Sequence, residues 1–298
     1  MHCVTSLLAL VLLLASSSAA AVWLTPPVDS APAKLSTRAD NVQLLEPFTL
    51  PQLNRQRTIR LYLPPGYGQE QANSPARYPV LYMHDGQNLF DTATAFAGEW
   101  GVDETLNQLS AEGWLQLIVV GIDNGGVHRM QEYNGWDHPR FGKAEGAEYL
   151  AFIRDTLKPY IDSHYRTLAK PQHTGIMGSS MGGLISHYAL FNAPEVFTLA
   201  GIFSPSYWVA DEVYQQTDAA VLPQTVRISM LTGEKEGRDM LTNMHKMARQ
   251  LRAQGLPASQ FSLKQVPDAE HNEAFWRSEF ADAVLFLYNP AGFYLRRR

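Results

Sequence analysis

The chain has 298 residues, room for one large domain or two small ones, with 29 acidic against 24 basic side chains and a formal charge of −5. The only basic block is the terminal Arg296-Arg297-Arg298. That is too short for a nucleic-acid footprint, so no nucleic-acid partner is expected. The single cysteine, Cys3, excludes a disulfide framework.

The chain opens with an apolar run from Leu7 to Leu14, then Ala15-Ser16-Ser17-Ser18 and an A-x-A site at Ala19-Ala20-Ala21. Residues 1–21 are therefore expected to be a cleaved secretory signal, although the first residues carry no Lys or Arg. The run is too short for a good spanning helix. A secreted or periplasmic protein follows, with no stable membrane association after cleavage. Cys3 would leave with the signal, so the mature chain would hold neither a thiol nucleophile nor Cys-ligated zinc.

Residues 22–42, with Pro26-Pro27 and Pro32, read as an irregular leader. Strands are predicted at 42–50 and 58–63, the second ended by Pro64-Pro65-Gly66. Continuous apolar runs at 78–83 and 115–122 read as buried strands, with a helix at 103–109 between them. Residues 123–146 form a long Gly-, Asn- and aromatic-rich loop, a length more often functional than idle. Tyr149, Phe152, Ile153, Leu157, Tyr160 and Ile161 then mark one face of a helix. Further strands are predicted at 199–203, 226–231 and 261–266, and helices at 240–254 and 274–287, the last before Pro290. This alternation predicts an α/β fold: a mostly parallel central sheet with helices on both faces. No linker divides residues 43–298, which read as one domain.

The most informative segment is Gly178-Ser179-Ser180-Met181-Gly182-Gly183, which follows the apolar run 173–177. It fits G-x-S-x-G between a strand and a helix, the turn that presents a serine hydroxyl at its tip. Ser180 is thus the candidate nucleophile for acyl transfer; the bland alternative is a Gly/Ser-rich turn without chemistry. A serine hydroxyl needs a base, and the base needs an orienting acid. On such a sheet both partners follow the serine, acid first. Three histidines lie beyond Ser180. His187 is two helical turns past the elbow, and His245 lies inside a predicted helix. His271 follows the strand at 261–266 and is the expected base. The acid is expected in Gly233-Glu234-Lys235-Glu236-Gly237, with Glu236 preferred and Glu234 the alternative.

The oxyanion would be held by the amides of Met181, after the nucleophile, and of Gln87, with Gly86 as the alternative to Gln87. His84 and Asp85 are expected to brace that loop through hydrogen bonds or a salt bridge. No metal is expected, because His84, Asp85 and His128 lack ligand spacing, and the chemistry needs no cofactor.

The runs Tyr62-Leu63-Pro64-Pro65-Gly66-Tyr67 and Tyr78-Pro79-Val80-Leu81-Tyr82-Met83-His84-Asp85-Gly86-Gln87-Asn88-Leu89-Phe90 resemble the esterase D-type family of esterases. Val120-Gly121-Ile122-Asp123-Asn124-Gly125, Leu157-Lys158-Pro159-Tyr160-Ile161-Asp162 and Phe203-Ser204-Pro205 are similar to it as well. The family includes enterochelin-type siderophore esterases, feruloyl and acetyl xylan esterases, S-formylglutathione hydrolases and mycolyltransferases. The resemblance spans roughly residues 55–285 and implies an α/β-hydrolase fold with a Ser–acid–His triad. Ser180 matches the nucleophile, and His271 with Trp276 matches an H-x-x-x-x-W loop. Gly233 to Glu236 is similar to a G-x-x-E variant of the acid loop; several subfamilies carry Asp instead.

Trp100, Arg129, Tyr133 and Trp208, with Trp136 and Tyr207 nearby, fall in loops expected to flank the site and bind an aromatic or sugar part of the substrate. The alternative is that these aromatics pack the loops together. The expected function is an exported serine esterase acting on a small-molecule or carbohydrate ester. An acyltransferase using the same acyl-enzyme is the alternative, and a non-catalytic binding module a third reading.

Overall fold

The computed structural model describes residues 34–68 and 76–296. The expected signal at 1–21 and most of the leader lie outside the described residues. The compact unit is Lys34–Arg298. The end of the leader is irregular but tied down: Ser36 Oγ and the Thr37 amide donate to Asp91, and the Ala39 amide donates to Asp103 Oδ2.

Eight strands form one sheet: β1 (Val42–Leu50), β2 (Arg55–Tyr62), β3 (Val80–His84), β4 (Ile118–Ile122), β5 (Thr174–Ser179), β6 (Leu199–Phe203), β7 (Arg227–Gly233) and β8 (Phe261–Val266). Their order is β1-β2-β4-β3-β5-β6-β7-β8. The β1–β2 and β2–β4 pairs are antiparallel; all the others are parallel. Strands β3, β4, β5 and β6 are buried throughout, which is why they read as unbroken apolar runs.

The helices are α1 (Val102–Ala111), α2 (Arg129–Glu132), α3 (Gly146–Phe152), α4 (Lys158–His164), α5 (Met181–Asn192), α6 (Glu212–Ala219), α7 (Arg238–Ala253), α8 (Glu273–Tyr288) and α9 (Pro290–Arg296). The two-residue period of the strands divides the core. Val80 and Tyr82 of β3 join a cluster with Tyr149, Leu184, Val213 and Met244, from α3, α5, α6 and α7. Leu81 and Met83 face the other way, into a cluster with Leu106, Phe280 and Leu287, from α1 and α8. The α/β-hydrolase fold follows from this mostly parallel sheet with helices on both faces.

Three details differ from the sequence expectation. Strand β4 starts at Ile118 rather than 115, because Trp114 and Leu115 donate their amides to Leu109 O and close the turn after α1. The helix expected from 147 to 161 is interrupted by a π-helical turn at Ile153–Leu157. Pro159 lacks an amide for the Asp155 carbonyl, and its ring crowds that carbonyl, so the turn widens there. Pro290 does not merely end a helix; it opens α9, where a missing amide costs nothing. Among the described residues, no helix is long and apolar enough to cross a membrane.

The long loop after β4 is held to β2 by buried charge. Arg57 Nη2 donates to both oxygens of Glu132, and Arg55 Nη1 donates to Glu132 Oε1 at 2.8 Å. Arg60 grips Asp123 through Nε and Nη2. Glu132 is fully buried, so removing it strands the buried Arg57 guanidinium, while Arg55 keeps its pair with Glu145. Glu132→Ala is expected to destabilise the fold by about 3 kcal/mol, measured as a shift of the urea midpoint at unchanged slope.

Candidate active site

The carboxyl ends of β3, β5, β6, β7 and β8 point to one edge of the sheet, as their parallel register requires. The loop after each strand reaches that edge, where ligands collect in open α/β sheets.

Ser180 follows β5 directly and has φ 59° and ψ −120°, a region that non-glycine residues rarely occupy. Such a backbone costs about 1–3 kcal/mol and needs fixed surroundings. Here β6 supplies them. The Ser180 amide donates to Phe203 O at 2.9 Å, and Ser180 O accepts from the Ser206 amide at 3.0 Å and the Leu184 amide at 3.1 Å. The approach of α5 to β5 leaves no room at Gly178, where a Cβ would meet the Gly182 carbonyl carbon at 2.9 Å. The Ser180 hydroxyl lies 3.2 Å from Ser206 Oγ.

The loop after β7 carries Glu236, whose side chain is 0% exposed. Its Oε1 accepts from the Gly233 amide at 2.7 Å and from Ser204 Oγ at 2.6 Å. Its Oε2 lies 2.8 Å from His271 Nδ1. Ser204 in turn accepts from Trp276 Nε1 at 3.0 Å, and the Trp276 ring meets the His271 ring edge-on, with centroids 5.0 Å apart. His271 is thus oriented by a carboxylate on one nitrogen and an indole on its flank, while its side chain stays 38% exposed. Glu234 is exposed and accepts from Gln265 Nε2, so Glu236 and not Glu234 meets His271. His187 is buried between Thr217 and Tyr207, away from the elbow, and His245 is exposed on α7.

The loop after β3 is braced by Asp85. Its carboxylate accepts two bonds from Arg129, at 2.7 and 2.8 Å, and one from Asn124 Nδ2 at 2.7 Å. Burial alone would raise the Asp85 pKa, but Arg129 and then Asn124 outweigh it and hold the carboxyl below its ordinary value. Gly86 has no room for a side chain, since a Cβ would stand 2.7 Å from Asp123 Oδ1. Gln87 is tied through its side chain, whose Oε1 accepts from the Asn124 amide. His84 bonds Tyr149 through Nδ1, and burial lowers its pKa to about 3, so it is neutral.

Ser180, His271, Gln87, Arg129 and Trp100 line one cavity of about 470 Å³. Trp100 forms part of its apolar wall, stacked on Phe203 with centroids 5.3 Å apart. Two of the expected substrate contacts are elsewhere. Tyr133 is 0% exposed; its hydroxyl accepts the Asp85 amide and braces the loop from below. Trp208 is 54% exposed and meets Phe141, outside the cavity lining. Trp136 packs edge-on against Tyr188, and Tyr207 bonds His187, so both serve packing. Phe96, Asn88, Asn124, Ser204, Ser206 and Glu273 join the site without having been singled out for it. The family matches that contain Asn88, Asn124 and Phe203-Ser204-Pro205 had pointed near some of them.

The sheet is that of an α/β-hydrolase, and the chain matches the family described as "Putative esterase" over residues 51–287. The chain belongs to that family and is an ester-hydrolysing enzyme by class. It is 27% identical over 246 residues to the uncharacterized protein YbbA of Bacillus subtilis, covering 78% of this chain and 92% of that one. It is 27% identical to the endo-1,4-beta-xylanase/feruloyl esterase of Xylanibacter ruminicola, over 68% of this chain but only 26% of that protein. It is also 27% identical to the iron(III) salmochelin esterase of Escherichia coli, over 78% of this chain and 54% of that protein. Among solved structures, a ferulic acid esterase matches with a TM-score of 0.63 at 21% identity, covering 83% and 98% of the two chains. The enterobactin esterase of Shigella flexneri, with enterobactin present, matches with a TM-score of 0.68 at 19% identity, covering 86% and 61%. Those two likenesses show the fold.

The Asp85–Arg129 pair stabilises fully above the unfolded carboxyl pKa, and its contribution fades as pH falls through the lower folded value. Asp85→Asn is expected to cost about 3 kcal/mol near neutral pH, with a penalty that shrinks in acid. Urea unfolding of both proteins across acidic and neutral pH reads this; a constant difference would contradict it.

Proposed function

We propose that the protein is a serine esterase that works through an acyl-enzyme. The observation that carries this reading is the Glu236–His271 contact at 2.8 Å, beside a cavity that also holds Ser180 on its strained turn. With Nδ1 engaged by Glu236, His271 has Nε2 left to take the proton of Ser180. Ser180 Oγ attacks the ester carbonyl, and the alcohol leaves with the proton that His271 returns. Water then repeats the sequence on the acyl-enzyme, activated by the same imidazole. Glu236, bonded through both oxygens, keeps the ring in place and stabilises the imidazolium.

The oxyanion is assigned to the amides of Met181 and Gln87. Met181 opens α5 and Gln87 sits in the 3-10 turn Gly86–Asn88, and amides at helix starts lack an intrahelical acceptor. For the turn to react, the Ser180 hydroxyl leaves Ser206 for His271. The substrate is read as a carboxylic ester of the acyl-carbohydrate, feruloyl or siderophore kind, matching the names of the relatives. Residues 43–298 are read as a single esterase domain, exported by the segment at 1–21.

Ser180→Ala is expected to reduce turnover of 4-nitrophenyl acetate by about a thousandfold or more at unchanged stability, and to abolish labelling by a fluorophosphonate. A variant that keeps full activity and labelling refutes the nucleophile. Glu236→Gln is expected to lower kcat rather than raise KM, because it acts through His271.

A further inference from the structure

The mechanism leaves one cavity group unused. Glu273 opens α8, two residues after His271, and lines the cavity although it is only 7% exposed. Apart from its own backbone amide, its hydrogen bond is a long one, from Asn88 Nδ2 to Oε1 at 3.4 Å. Gly98 closes over it, since a Cβ there would stand 3.0 Å from Glu273 Cβ and 3.5 Å from Oε2. A buried carboxyl so weakly partnered is costly to keep ionisable, and an amide of the same shape would serve packing as well.

The surrounding charges determine what this carboxyl does. Asp85 and Arg129 cancel through their two-point pair. His84 is neutral, and Glu236 stands behind His271 with both oxygens engaged. Glu273 therefore supplies the uncompensated negative charge on the cavity wall. Burial pushes its pKa up most; its own backbone amide pulls it down, Asp85 raises it again, and His271 and Arg129 lower it by less, so the net shift is upward. The wall is thus negative once pH exceeds that raised value, and neutral below it.

We propose that Glu273 is a charge filter: it makes the cavity reject anions, so that the site takes esters whose acyl and alcohol parts are uncharged and expels the carboxylate that hydrolysis leaves. This rests on the esterase reading and names its substrate class. Hydrolysis adds water across the acyl–oxygen bond, releases the alcohol, and yields a carboxylate and a proton. A neutral ligand thereby becomes an anion beside Glu273, in a site of low dielectric where like charges repel most strongly. The same charge favours an uncharged acylated sugar or phenol over an anionic iron–catecholate complex.

The test measures binding, so it does not depend on turnover. Benzoate and its uncharged analogue benzamide are titrated into the full chain by calorimetry at mildly alkaline pH. In Glu273→Gln the benzoate-to-benzamide affinity ratio is expected to rise by about tenfold or more, while Glu273→Asp keeps the wild-type ratio. Lowering the pH raises the ratio in the wild type more than in Glu273→Gln. Glu273→Met removes the charge by a second route should the Gln variant not fold. No gain in benzoate binding by a folded, charge-free variant overturns the proposal. Failure of the esterase reading is seen separately, in an active Ser180→Ala.

Discussion

The site depends on a backbone constraint at one residue. Ser180 is held at positive φ by three hydrogen bonds, two of which come from β6 and the loop that follows it rather than from its own strand or helix. Those two bonds exist only because β5 and β6 run parallel in register, with Ser179 opposite Phe203. The strain at Ser180 is therefore carried by the sheet. The same loop after β6 supplies Ser206 to the Ser180 hydroxyl and Ser204 to the Glu236 carboxylate. One short connection thus touches both ends of the proposed triad.

Four carboxylates near the cavity show how environment assigns role. Asp85 is buried against a two-point guanidinium and acts as a brace. Glu236 is buried against an amide, a hydroxyl and an imidazole, which leaves no oxygen free and fixes the ring it meets. Glu234, two residues away, is exposed and bonds a glutamine amide. Glu273 is buried, bonded to its own amide and at long range to Asn88, and faces the ligand space. Identical chemistry yields a brace, an orienter, a solvated charge and a filter because desolvation and partners differ at each place.

The aromatic residues divide in the same way. Trp100 and Trp276 line the cavity, and Trp276 also supports His271 and Ser204. Tyr133 and Tyr149 lie beneath the loop after β3 and pack at tilted angles around His84. A charge-neutral wall beside His84, an ion pair at Asp85 and an indole wall at Trp100 leave a cavity in which a single carboxylate sets the sign of the field.

The sequence by itself determined the α/β class and the identity of most elements, and it pointed to Ser180 and His271 of the proposed triad, because strand burial, the glycine spacing around Ser180 and the order of acid and base along the chain are local or ordered features. Its preference for Glu236 over Glu234 rested on spacing and family likeness; only the fold decided which carboxylate turns inward to His271. It grouped Tyr133 and Trp208 with Trp100 because all three are aromatic residues in loops, whereas direction depends on packing. Tyr133 lies beneath Asp85, and Trp208 faces Phe141. Ser204, Ser206, Asn124 and Glu273 were invisible as site residues, since each owes its role to a partner 26 to 185 positions away. Contacts at that separation are made when parallel strands bring six loops to one edge, and nothing in the local pattern of a chain records them.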